Sequence, residues 1–169
     1  MDTFFEQIVN IKKNGTSLAA YIGIWVLAII LIIIFFMFPI LGMGFGLLFS
    51  CGVLYGAYWL SSKLNVEYEY IITNGSMDID KIVNKSSRKR ILSFELPSVT
   101  RLEKYNPALL TNIDKKEVVI ACNPEDKDVY FMVAEKAKGN AYLVFAPDSR
   151  IISAIEKFAP KFVTNNVFK

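Results

Sequence analysis

From Asn14 to Ser62 the chain carries no charged side chain, whereas Lys, Arg, Asp and Glu recur throughout the residues after Leu64. Two apolar runs fill the uncharged stretch. The first, LAAYIGIWVLAIILIIIFFMF over Leu18–Phe38, reaches roughly 30 Å as a helix, the thickness of a bilayer's hydrocarbon core. A second run over 44–62 is long enough to cross as well. Pro39 and Gly42-Met43-Gly44 interrupt the pattern between them. The spacing therefore predicts a membrane helical hairpin, with crossings at 18–38 and 44–62 and a short extracytoplasmic turn at 39–43. A cleavable signal segment does not fit, because its apolar core runs only about 7–15 residues. Helices are the form required, since lipid offers the backbone no hydrogen bonds.

The flanks orient the hairpin. Lys12, Lys13 and Lys63 sit outside the two ends and the connecting turn carries no charge. By the positive-inside tendency, both termini face the cytoplasm and the chain is a multi-pass protein of the inner membrane. Tyr21, Trp25, Tyr55, Tyr58 and Trp59 lie toward those same ends, as interfacial aromatics do. In the N-terminal segment 1–17, Phe4, Phe5, Ile8 and Ile11 share one helical face, which predicts a cytoplasmic amphipathic helix lying on the membrane. Gly42, Gly46, Gly52 and Gly56 are spaced as helix-packing glycines. Their partner is the first helix, a second copy of the chain or another membrane protein.

After Val66 the period changes from a helical one to two. Tyr68, Tyr70 and Ile72 alternate with Glu69, Ile71 and Thr73, and Met77 and Ile79 alternate with Asp78 and Asp80. Asn74-Gly75 stands between these runs and predicts a tight hairpin, because a type I′ turn needs positive φ at both central residues. Further strands are expected at Lys89–Leu96, Val99–Tyr105, Glu117–Cys122, Val129–Ala134 and Ala141–Phe145, bringing the total to about seven. Asp148 is placed to cap a helix starting at Ser149. Ile151, Ile155, Phe158 and Phe162 would form its apolar face, and Pro160 its end or kink. The expected architecture is thus a curled antiparallel sheet plugged by a C-terminal amphipathic helix over 66–162, with a tail at 163–169.

Composition narrows the function. The chain has 169 residues, 53% of them hydrophobic, a net charge of +3 and no histidine. That balance gives no basis for nucleic acid binding, and the missing histidine removes the commonest general base and metal ligand. Cys51 and Cys122 fall in different environments, so no disulfide is expected. Cys122 reads as a small buried hydrophobe. Asp78 and Asp80 point to one strand face, where Arg88 or Arg90 would match them across the sheet. No nucleophile, phosphate-loop or metal motif is present, so neither an enzyme nor a cofactor is expected. One cluster stands out: Lys81, Lys85, Arg88, Lys89 and Arg90, a basic stretch suited to anionic headgroups.

Two crossings followed by YEYIITNGSMDIDKI and RKRILSFELPSVTRLEKY resemble the membrane-attached pleckstrin-homology-like (PH-like) domains of bacteria. The resemblance covers roughly Val66–Phe162 and implies a strand barrel closed by a C-terminal helix. Together these features lead to a non-catalytic, membrane-anchored binding or scaffold protein that presents its PH-like domain to a protein partner. An anionic-lipid or headgroup sensor using the 81–90 loop is one alternative. An accessory subunit of a membrane transporter or enzyme complex is another.

Overall fold

A computed structural model of the chain describes residues 3–37, 39–111, 113–114, 117–137, 139–165 and 167, with only the helical backbone described for 39–44. The chain forms two units: Lys12–Val66, and Met1–Ile11 together with Glu67–Lys169.

The first unit is a pair of apolar helices, each long and apolar enough to cross a membrane. Helix α1 spans Gly15–Phe36 and starts on Asn14, whose side chain accepts the Ser17 N–H. That is three residues before the apolar run, because a polar cap satisfies the helix's unpaired N–H groups. Helix α2 spans Pro39–Ser62. The expected turn at 39–43 is thus already helical. Proline suits the first helical position, where its missing N–H costs nothing. Phe38, the expected end of the first span, lies outside the described residues. Phe35 stacks on Phe49 with ring centroids 4.0 Å apart. A Cβ at Gly46 would meet the Phe36 ring at 3.1 Å, so this glycine does admit the facing helix. Gly52 and Gly56 have nothing within 4 Å at their Cβ positions, and Gly42 lies where only backbone is described. At the charged ends, Lys13 sits 4.0 Å over Tyr21 and Lys63 3.3 Å over Trp59. Both are cation–π contacts of the kind that suit an interfacial position.

The second unit contains two four-stranded sheets. The first has the order β1(Phe4–Asn10)–β2(Val66–Thr73)–β3(Ser76–Val83)–β4(Ser87–Glu95). The expected N-terminal amphipathic helix is instead strand β1, antiparallel to β2 from Phe4↔Thr73 to Asn10↔Glu67. Phe5, Gln7 and Val9 turn inward while Phe4, Glu6, Ile8 and Asn10 turn out. A strand wins over a surface helix here because β2 would otherwise present an open edge of unpaired backbone groups. Among the described residues eight strands therefore replace the expected seven. The two neighbours β1 and β2 are joined through the whole helical pair.

Asn74 and Gly75 take positive φ, 50° and 93°, in the predicted hairpin turn. The second sheet runs β5(Val99–Lys104)–β7(Tyr130–Lys136)–β8(Gly139–Phe145)–β6(Val118–Ile120). Its β6 pairs parallel to β8, so the sheet is not wholly antiparallel as expected. Tyr70, Ile72, Met77 and Ile79 from the first sheet pack with Leu102, Met132, Leu143 and Phe145 from the second. Beneath the second sheet, Phe131, Val133 and Val144 form a smaller core with Tyr105, Leu109, Leu110 and Ile113. Cys122 is buried there and its thiol is pushed up to about 12 by that burial, as befits an inert hydrophobe.

Helix α3(Ser149–Phe158) is capped by Asp148, which accepts the N–H groups of Arg150 and Ile151. Ile151 and Ile155 are fully buried. Phe162 is 76% exposed, contrary to its expected place on the apolar face. The helix stops before Pro160, and the short α4(Lys161–Thr164) restarts with Val163 inward.

Candidate functional site

The basic stretch folds as the β3–β4 hairpin. Its turn places Asn84 and Lys85 in the left-handed region, φ 52° and 55°, and the Ser86 N–H donates to the Val83 carbonyl. β2 and β3 run antiparallel, so this turn lies at the same end of the sheet as Asn10 and Glu67. Only Ile11–Asn14 and Lys63–Asn65 separate that end from the two apolar helices.

Strand alternation divides the five basic residues of the sequence cluster. Lys89 opposes Lys81 on one face, while Arg88 opposes Ile82 and Arg90 opposes Asp80 on the other. A bulge at Ile91 brings Arg90 level with Asp80 although Asp78 still faces Ser93. Arg90 uses this offset to grip both acids, at 2.8 Å from Asp78 and 2.9 Å from Asp80. The two aspartates are thus a matched strand face. Arg88 reaches the fully buried Glu69 at 2.9 Å. Burial, and then a hydrogen bond with the Glu6 carboxyl, push Glu69 above its ordinary range against the pull of Arg88. Both arginines are therefore committed within the sheet, whereas Lys81, Lys85 and Lys89 form no ion pair among the described residues.

Beside the turn, on the face away from the core, lies a cleft of about 570 Å³. Ile8 and Asn10 of β1, Glu67 of β2 and Ile82 of β3 line it, with Lys85, Ser86 and Arg88 of the hairpin. The basic-cluster motif missed Glu67 and the whole β1 contribution. The alternation of EYEY over residues 67–70 is the signal that puts Glu67 on the same strand face as Glu69. No group of three or more acidic, Cys or His side chains able to hold a metal occurs among the described residues.

Two packed four-stranded sheets followed by a C-terminal helix define a PH-like domain. The chain belongs to the bacterial PH-like domain family (DUF6106), whose family model matches residues 1–165. The match takes in β1 and both apolar helices along with the rest of the domain. Comparison with curated proteins and with solved structures found no match.

Proposed function

We propose that this is a non-catalytic scaffold of the bacterial inner membrane that presents its PH-like domain to a protein partner in the cytoplasm. The observation that supports it is the double tether. β1 and β2 are adjacent strands, each joined to one apolar helix by a few residues. One folded domain lies on one side of a membrane, so α1 must begin and α2 must end on that side. Lys12, Lys13 and Lys63 favour the cytoplasm as that side. Among its exposed apolar side chains, Ile120 on edge strand β6 and Phe162 beyond α3 offer footholds to a protein partner. Photo-crosslinkers at 120 and 162 in cells test the reading. Recovery of one discrete protein, lost in a Phe162→Ser variant, is expected. Absence of any adduct at either position in a stable, membrane-extracted chain would sink it.

A second reading is favoured by the place of the basic turn. Lys81, Lys85 and Lys89 stand at the helix-connected end of the sheet without ion-pair partners among the described residues, so they are available to anionic headgroups, at ~1 kcal/mol each near a surface. Flotation with anionic liposomes that fails with neutral ones, weakens with salt and is lost in a triple Lys→Ala variant is the expected signature. It is read on residues 3–10 joined directly to 67–167 by an Asn-Gly turn. Equal flotation with neutral lipid would remove it.

A further inference from the structure

We infer that the cleft beside the β3–β4 turn binds a phosphate–ammonium zwitterion, the phosphoethanolamine headgroup of a bilayer lipid. The inference rests on the lipid-contact reading above and narrows it to one chemistry. A surface evolved only for anionic lipid would hold cations alone, yet this cleft places a carboxylate opposite its cations. The Glu67 carboxylate forms no ion pair or side-chain hydrogen bond among the described residues, and neither does the Lys85 ammonium. Arg88 spends Nη2 on Glu69 while its side chain stays 56% exposed, leaving further N–H groups to donate. Ser86 adds a hydroxyl on the same side, held here only by a long 3.4 Å donation to the Val83 carbonyl.

The arrangement of charge suits such a ligand. Glu67 on β2 and Arg88 on β4 flank Ile82 on the strand between them, and the Arg88 guanidinium leans back over that strand to Glu69. Carboxylate and cations therefore face one small cleft, which an ammonium and a phosphate joined by a short link can bridge. The ammonium would meet Glu67, and the phosphate would meet Lys85, Arg88 and Ser86. Ile8 and Ile82 supply an apolar floor beneath the link, Ile8 half exposed and Ile82 buried. The cleft's place at the end of the sheet from which the chain enters both helices argues for a lipid as the source.

The full-length chain in neutral detergent is offered equimolar phosphatidylethanolamine, phosphatidylglycerol and phosphatidylcholine, and retained lipid is measured by native mass spectrometry. The wild type is expected to hold phosphatidylethanolamine about fivefold over phosphatidylglycerol, the worth of one such charge contact. Glu67→Gln should erase that preference without lowering the unfolding temperature, and Lys85→Ala should weaken retention of both lipids. Equal or better retention of phosphatidylglycerol by the wild type, untouched by Glu67→Gln, overturns the zwitterion and leaves the general basic-turn reading standing. Retention of every lipid that ignores Lys85 overturns both. Soluble phosphoethanolamine, tested by thermal unfolding, is the last arm. Protection by it with no lipid retained keeps the chemistry but overturns the lipid source.

Discussion

Gln7 accepts the backbone N–H of Asp148 at 2.7 Å and, from the other end of its amide, donates to the Ala146 carbonyl at 2.9 Å. One inward polar side chain of β1 thereby satisfies two backbone groups at the junction of β8 and α3, and Asp148 in turn caps that helix. Gln7→Leu would leave both groups unpaired and should cost about 1–3 kcal/mol. Thermal unfolding of the full chain in detergent, with a surface substitution at Glu125 as control, measures it. No loss would mean the clamp is replaceable by water.

Strand β1 should also be indispensable to the domain. A fragment beginning at Leu64 exposes the β2 edge and uncovers Tyr68, against which Phe5 and Val9 belong to the same core. It is expected to unfold at lower temperature and to self-associate. Fusing residues 3–10 directly ahead of 67 through an Asn-Gly turn should restore cooperative unfolding, since Asn10 and Glu67 are already paired. Sedimentation and calorimetry on the two fragments distinguish these outcomes.

Gly75 combines a φ of 93° with a close neighbour, as a Cβ there would lie 3.2 Å from the Phe158 ring. Gly75→Ala is therefore strained in its backbone and crowded against α3, with an expected loss of about 1–3 kcal/mol. Asn74→Gly keeps the turn's required conformation and should cost much less. Chemical denaturation midpoints of the two variants provide the comparison.

Two carboxyls set opposite pH dependences. Glu69 is raised above its ordinary 4.5, chiefly by burial, so its contribution is full below that pH and is lost as pH rises through the raised value. Asp148 is lowered below its ordinary 3.8: against the upward push of burial, the Ile151 N–H and the Arg150 guanidinium hold it down. Its contribution is present above 3.8 and is lost as pH falls through the lowered value. Unfolding temperatures across the acid-to-neutral range should show Glu69→Gln flattening the upper limb and Asp148→Asn flattening the lower. Unchanged limbs would assign the dependence to other groups.

Much of this fold is legible in alternation and turn chemistry. Tyr70, Ile72, Met77 and Ile79 announce their inward faces, Asn74-Gly75 its turn and Asp148 its helix. β1 hides because its pattern is ambiguous. Phe4 and Ile8 point outward, Gln7 points inward, and the apolar positions happen also to fit one helical face. Its partner lies beyond both apolar helices, so no local signal identifies the pairing. The parallel partnership of β6 with β8 is hidden for the same reason. Pro160 resets the phase that would have buried Phe162. In the cleft, the cations could be read from the sequence. The opposing carboxylate could not, because strand order brings Glu67 and Arg88 together and spacing does not.

Because a helical pair separates β1 from β2, the order of synthesis matters. Phe4, Phe5, Ile8 and Val9 leave the ribosome well before β2, at about 5–20 residues per second. Their strand then waits, unpaired, while both apolar helices are made. Only when β2 follows can the edge close. If the pair crosses a membrane, a single crossing would strand β1 and β2 on opposite sides, so completion of the sheet requires that both helices cross.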